Sequence, residues 1–292
     1  MMNRLIVGIF ALLSGCVGGW QAPPPSRPVV YTVGQPYELG QEWIYPTTFS
    51  SYDETGLGVI IDKPANSFTA DNETYQPNDL TAASPVLPLP SIVTVTNLVN
   101  GYSVKVRVND RGPNIPGRLI AVTPRVANLL GFPTGGVVEV QVELDSQASA
   151  ALQGSLGAGP QLTAAPVTSI TSQSLAPPGS QGHNGAQQEL LPVSKGQGQG
   201  LSQAPALTGQ VSTTTPMPGP LWVRVSGFGS VEGAARTRAR LYGMPAQIVP
   251  VSGGTRTLFA VETGPYYSVA TADQALQREL ALGIAGPEIV VR

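Results

Sequence analysis

Val106-Arg107-Val108-Asn109-Asp110-Arg111-Gly112-Pro113, followed by Gly117-Arg118-Leu119-Ile120, is the stretch whose reading decides the fold. Apolar and basic residues alternate up to Val108, the period of a half-buried strand. Gly112 and Pro113 stop that strand, which leaves Asp110 and Arg111 at its end. A carboxylate on a strand end is held more firmly than one on a loop, so Asp110 is well positioned there. The plainer alternative is a turn-capping Asp with Arg111 as its surface partner.

The neighbouring segments extend the same pattern. Ile92 to Thr96 and Val104 to Val108 alternate, and Asn100-Gly101 between them is a hairpin signal. From Gly136 to Leu144, Val138, Val140, Val142 and Leu144 alternate with Glu139, Gln141 and Glu143. One helix is expected near residue 124, with Thr123 as its N-cap, Pro124 in the first turn, Val126, Leu129 and Leu130 as its apolar face and Gly131 as its stop. Short strands with one short helix point to a closed barrel over residues 49–145.

Beyond the barrel the composition changes. From Ser146 to Gly219 it falls to Gln, Ser, Ala, Gly, Thr and Pro, with only Glu189 and Lys195 charged. No period of 2 or 3.6 runs through it, so 146–219 reads as a flexible linker whose ends would lie roughly 45–50 Å apart, letting a C-terminal module search widely. From Pro220 the pattern returns. Strands are expected at Leu221 to Ser226, Ala246 to Val251, Leu258 to Glu262 and Glu288 to Val291. Helices are expected at Val231 to Leu241 and Thr271 to Leu282, the second with Thr271-x-x-Gln274 as a capping box. The order βαββαβ is a small α+β sheet with helices on one face.

Composition narrows the chemistry. The net charge of the 292 residues is −2, which gives no general attraction to nucleic acid. One Cys precludes an intramolecular disulfide, and one His, His183, precludes a multi-histidine metal site. No cofactor or metal is expected. Glu38 to Asp145 carries 6 basic and 12 acidic residues, a net of −6, which favours a neutral polymer over an anionic one. Arg4 and the apolar run Leu5 to Leu13 read as a secretory signal over 1–15, too short to span a bilayer. It ends in Leu13-Ser14-Gly15-Cys16, which resembles a bacterial lipobox. That resemblance makes Cys16 the lipid-bearing residue and the membrane a partner. Val17 stands where an inner-membrane retention signal has Asp, which favours the outer membrane, facing the periplasm. Residues 16–48 are a Pro-rich spacer and lead-in containing Tyr37, Trp43 and Tyr45.

Phe68-Thr69-Ala70-Asp71-Asn72-Glu73-Thr74-Tyr75, Leu80-Thr81-Ala82-Ala83-Ser84, Val95-Thr96-Asn97-Leu98 and the Asn109-Asp110-Arg111-Gly112-Pro113 stretch together resemble the rare lipoprotein A (RlpA) family. The resemblance covers about Tyr52 to Leu144. It implies a six-stranded double-psi β-barrel and, in active members, an endolytic transglycosylase of peptidoglycan glycan strands that leaves 1,6-anhydro ends. The C-terminal region resembles a SPOR domain through its βαββαβ order, Trp222-Val223-Arg224-Val225-Ser226-Gly227-Phe228 and Val261-x-x-Gly264-Pro265-Tyr266. Such domains bind glycan strands stripped of stem peptides, often at the division septum. The fold class expected is therefore mainly β: barrel at 49–145, disordered linker at 146–219 and SPOR domain at 220–292.

The resemblance also implies a site. Glu73, Tyr75 and Asp110 match family motif positions, whereas Gln76, Ser84 and Ala121 stand where the family has aspartate, histidine and aspartate. Asp110 is the expected acid and base, with Glu73 raising its pKa by like-charge repulsion. Tyr75, Gln76, Ser84, Arg111 and Arg118 are the expected substrate contacts, with Trp222, Phe228 and Tyr266 as a sugar-stacking surface. One carboxyl group suffices for lytic transglycosylation, because the proton it gives to the glycosidic oxygen is replaced by the one it takes from the sugar 6-hydroxyl. The three replaced positions keep open an alternative, a catalytically impaired glycan-binding lipoprotein on the same scaffold.

Overall fold

The computed structural model describes residues 27–39, 42–133, 136–156, 206–253 and 256–292. The signal, Cys16, the start of the Pro-rich spacer, His183 and most of the expected linker lie outside them. A short hairpin, β1 (Tyr37–Leu39) and β2 (Glu42–Ile44), precedes β3 (Asp53–Ile60), β4 (Thr81–Ala83), β5 (Ser91–Asn97), β6 (Tyr102–Asp110) and β7 (Ile120–Val122). Then come α1 (Pro124–Leu129), β8 (Val138–Leu144) and α2 (Ser146–Ser155).

Six of these strands close on themselves in the order β4-β7-β3-β8-β5-β6, because β4 pairs with β6 as well as with β7. The β3–β7 and β4–β6 pairs are parallel and the others antiparallel. The alternation read from the sequence sets the two faces. Val104, Val106 and Val108 of β6 and Val138, Val140 and Val142 of β8 point into one core with Ile120, Val122 and Leu130. Gly101 takes φ +77° in the β5–β6 turn, as Asn100-Gly101 requires. Thr123 caps α1, accepting the Val126 N–H at 3.4 Å, and Gly131 at φ +69° stops the chain just beyond it.

Both ends of the expected linker are structured. Asp145 caps α2 by accepting the Ala148 N–H at 2.9 Å. Ala148 and Leu152, four residues apart, bury against Ile92, and the Ser149 hydroxyl bonds both the N–H and the carbonyl of Ile92. One apolar pair in an otherwise polar run is too weak a period to mark a helix without its docking surface. At the far end β9 (Ser212–Thr213) adds to β6 opposite Tyr102 and Ser103, and the Met217 N–H donates to the Leu98 carbonyl at 2.8 Å.

The C-terminal domain follows as β10 (Leu221–Phe228), α3 (Val231–Arg240), β11 (Ala246–Gly253), β12 (Arg256–Tyr266), α4 (Val269–Ala281) and β13 (Pro287–Val291). Its sheet is ordered β11-β12-β10-β13, and all its pairs are antiparallel. The helices cover one face. Val225, Ala234, Leu241 and Val261 form one apolar cluster there, and Leu221, Val223, Leu276 and Ile289 another. α4 begins before the expected capping box, with Ser268 as its cap accepting the Thr271 N–H at 3.2 Å.

This domain rests against the barrel instead of standing clear of it. Arg118 forms a two-pronged ion pair with Asp273 of α4, at 2.7 and 2.8 Å. The Thr55 hydroxyl donates to the Val291 carbonyl at 2.7 Å and accepts the Val291 N–H at 3.3 Å, which covers the open edge of β13. Leu57 and Leu98 of the barrel share the apolar cluster of Leu276 and Ile289.

Within this domain Glu279 of α4 is fully buried. It accepts the Thr263 hydroxyl at 2.6 Å, and burial pushes its carboxyl up to about 7. Below the ordinary glutamate range both folded and unfolded chains hold the proton. Above it only the folded chain does, so stability falls as pH rises from about 4.5 to about 7. Thermal unfolding is expected to lose on the order of 2 kcal/mol between these limits. Glu279→Gln, which keeps the bond from Thr263, is expected to flatten this dependence and unfold at higher temperature than the parent at pH 8.

Candidate active site

β6 carries a bulge where it meets β4. Ala82 stands opposite Val108, but Ala83 stands opposite Asp110, which leaves Asn109 as the extra residue. A bulge at a strand end re-aims the side chains on either side of it. Asn109 turns to donate to Glu73 Oε2 at 2.7 Å, while Asp110 faces an open groove of about 430 Å³. Asp62, Lys63, Arg111, Asn114 and Ile115 line that groove, and Ala83 and Ala121 form its apolar floor.

Asp110 is only 8% exposed, and its carboxylate is held by three donors. Oδ1 accepts the backbone N–H groups of Ala70 and Arg111, each at 2.9 Å. Oδ2 lies 2.5 Å from Lys63 Nζ, which also donates to the Phe68 carbonyl at 2.8 Å. Charge-assisted bonds of this kind offset the cost of burying the carboxylate.

The Ala70 N–H is aimed by a neighbouring turn. Asp71 Oδ1 accepts the Thr69 hydroxyl at 2.7 Å and the Glu73 N–H at 3.1 Å, and Asn72 takes φ +74°, a left-handed position that Asn tolerates. Asp71 is fully buried and its carboxyl is pushed up to about 6. Burial is the main cause and the charge of Glu73 adds to it, while the Thr69 hydroxyl and Arg107 pull the other way.

The structure sorts the expected site residues. Glu73 does not face Asp110; it pairs with Arg107 and Asn109 and acts on Asp71. Tyr75 is buried, 3% exposed. Gln76 donates to Asn66 Oδ1 at 2.8 Å. Ser84 is buried, and its hydroxyl accepts the N–H groups of Val86 and Leu87 within its own turn. Arg111 lines the groove, but its guanidinium donates to the carbonyls of Val33, Ser84 and Leu87. Arg118 is committed to Asp273, outside the groove. Phe228 and Tyr266 pack on the helix-covered face of the C-terminal sheet, whereas Trp222 alternates onto the other face, so the three do not form one surface. Short motif residues next to glycines and prolines here build turns, and the tertiary fold spends their polar groups on backbone.

Lys63 and Asp62 are the charged groove residues that sequence reasoning missed, and Asn114 and Ile115 were missed with them. The signal of the charged pair is weak but real: Lys63 is one of three lysines in the chain, and the pair ends the apolar run Val59-Ile60-Ile61. Among the described residues no three of His, Cys, Asp and Glu converge as ligands for a metal ion.

The Lys63–Asp110 pair is expected to be the polar clasp of this end of the barrel. Lys63→Met leaves Asp110 with its backbone donors alone and is expected to cost about 1–3 kcal/mol of stability in denaturant unfolding. The double variant with Asp110→Asn is expected to recover part of that loss, a non-additivity that reports the contact between them.

Residues 62–142 match the lytic transglycolase family model, and this segment holds Lys63, the 69–73 turn and Asp110. The chain is 34% identical over 181 residues to the endolytic peptidoglycan transglycosylase RlpA of Escherichia coli K12, covering 59% of this chain and 48% of that protein. It is 39% identical over 117 residues to the protein of the same name from Rickettsia bellii, covering 39% and 52%. For that of Yersinia pestis it is 37% over 160 residues, covering 47% and 44%. The chain thus spans about half the length of these curated relatives. The match falls on the closed six-stranded ring and its bulged, Asp110-bearing strand, so the barrel is a double-psi β-barrel similar to that of the RlpA proteins.

Proposed function

We propose that this chain is an endolytic peptidoglycan transglycosylase that cuts glycan strands lacking stem peptides and leaves 1,6-anhydro ends. The observation that carries this is Asp110, fixed on the bulged end of β6 and facing an open groove, within the segment that matches relatives of that named activity. The groove holds about 430 Å³ and is open to solvent, which suits a polymer substrate. The Ala83–Ala121 floor suits the apolar faces of sugar rings, and Asp62, Lys63 and Asn114 suit their hydroxyls.

Asp110 is the acid and base in this reading. Protonated, it gives its proton to the glycosidic oxygen; as the carboxylate it then takes the proton of the 6-hydroxyl as that oxygen attacks the anomeric carbon. The backbone donors on Oδ1 and the ammonium of Lys63 stabilise the carboxylate that forms between the two steps. Gln76, Ser84 and Ala121 offer no titratable group, and one carboxyl group, that of Asp110, serves both transfers in turn.

The wider setting is part of the same proposal. The Leu13-Ser14-Gly15-Cys16 stretch supports a lipid on Cys16 and attachment to the outer membrane, facing the periplasm. The βαββαβ order of residues 220–292, with Trp222 on the face that the helices leave uncovered, supports a SPOR domain that recognises denuded strands and directs the enzyme to the septum.

The test is incubation of the chain from Gln21 onward with peptide-free glycan strands, followed by mass spectrometry of the new ends. Anhydro ends are expected from the parent, and Asp110→Asn is expected to lower their rate by about 10²–10⁴-fold. Tight binding with no new ends would place the chain with the glycan-binding proteins instead.

A further inference from the structure

The Asp110 groove shares one wall with a neighbouring cavity. Ile115, on its wall, also lines a second cavity of about 170 Å³ between the barrel and the C-terminal domain. Tyr52 and Pro116 form the barrel side of this cleft, Glu288 and Ile289 of β13 the other, and Leu39 and Ile44 of the N-terminal hairpin close it. Glu288 stands opposite Arg224 in the β10–β13 register. Arg224 and Trp222 share the sheet face that the helices do not cover. Groove and cleft thus share Ile115 as a common wall, and Glu288 borders the cleft on the side of the C-terminal sheet.

The walls of the cleft are held in position. The Arg118–Asp273 ion pair and the Thr55–Val291 bonds lie on its border. Two glycines permit the approach: a Cβ on Gly117 would stand 2.8 Å from Leu276 Cδ1, and one on Gly56 would stand 3.0 Å from the Ile289 carbonyl oxygen. A preformed cleft binds without the cost of ordering its walls.

We infer that this cleft is a further glycan subsite, filled by an amino-sugar ring of the same strand whose scissile bond lies at Asp110. The inference rests on the function proposed above and deepens it: groove, cleft and C-terminal sheet form one track, and the docked domain feeds the strand it holds directly to the carboxylate. The chemistry of the cleft suits such a ring. Ile44, Ile115 and Pro116 offer apolar surface to a pyranose and an acetamido methyl, and Glu288, which already accepts the Ser226 hydroxyl at 3.3 Å, adds a carboxylate at the edge. Arg118, the cation on its lining, is already paired with Asp273, so the cleft selects an uncharged sugar over an anionic group.

The test compares a denuded glycan tetrasaccharide with a decasaccharide on the full chain, carrying Asp110→Asn so that neither is cut. Hydrogen exchange and calorimetry are the readouts. The decasaccharide is expected to protect residues 115–119 and 286–289 as well as the groove, and the tetrasaccharide the groove alone. Ile44→Trp, which fills the cleft without touching the groove, is expected to weaken decasaccharide binding about tenfold and leave tetrasaccharide binding unchanged. Groove protection by both sugars with none at 286–289 would overturn the subsite and leave the proposed function standing. Protection confined to the face around Trp222 would overturn the single track. Absence of groove binding by either sugar would remove the proposed function, and the subsite with it. Should Ile44→Trp fail to fold, the exchange pattern of the chain with native Ile44 decides alone.

Discussion

The carboxylate of Asp110 is the knot on which the working end of this molecule depends. It joins three parts of the chain that are distant in sequence: the end of β3 through Lys63, the 69–73 turn through the Ala70 N–H, and its own strand through the Arg111 N–H. A carboxylate buried this deeply is tolerated only with such partners. The bulge at Asn109 makes the arrangement possible. Without the extra residue the alternation of β6 would continue, and Asp110 would point to the face that Asn109 takes. The ring closure and the position of Asp110 are thus one structural event, since the β4–β6 pair that closes the barrel is the pair that is bulged.

A second layer of polar contacts supports that knot. Asp71, Thr69, Glu73, Arg107 and Asn109 form a network beneath the turn, and none of them lines the groove. Its members shape the loop that supplies a donor. Asp71 holds its proton at mildly acidic pH because burial outweighs the bond from Thr69 and the attraction of Arg107.

The docking of the C-terminal domain changes what the chain is mechanically. Two domains on a free linker would search independently, coupled only through effective concentration. Here an edge strand, a helix and a two-pronged ion pair meet the barrel, and Arg118 and Thr55 serve as joints. The same contact covers the edge of β13, which would otherwise be an exposed template for unwanted pairing.

Much of the fold was legible in the sequence. Alternation in Val104 to Val108 and Val138 to Leu144 located the barrel strands, Asn100-Gly101 their turn, and Thr123-Pro124 the start of α1, because each is a local preference that tertiary packing then reinforces. The βαββαβ order of the C-terminal domain was legible for the same reason. The sequence by itself also determined Asp110 as the residue of interest, since a strand ending in Asn-Asp-Arg-Gly-Pro confines it. Only the tertiary structure decided its partners. Lys63, the Ala70 N–H and the bulge at Asn109 come together through parallel pairing between distant segments, which leaves no periodic trace. It likewise withdrew Glu73, Ser84 and Arg118 from the groove. Their types fit a catalytic site, but buried carbonyls, N–H groups and opposite charges closer at hand had first claim on their hydrogen bonds.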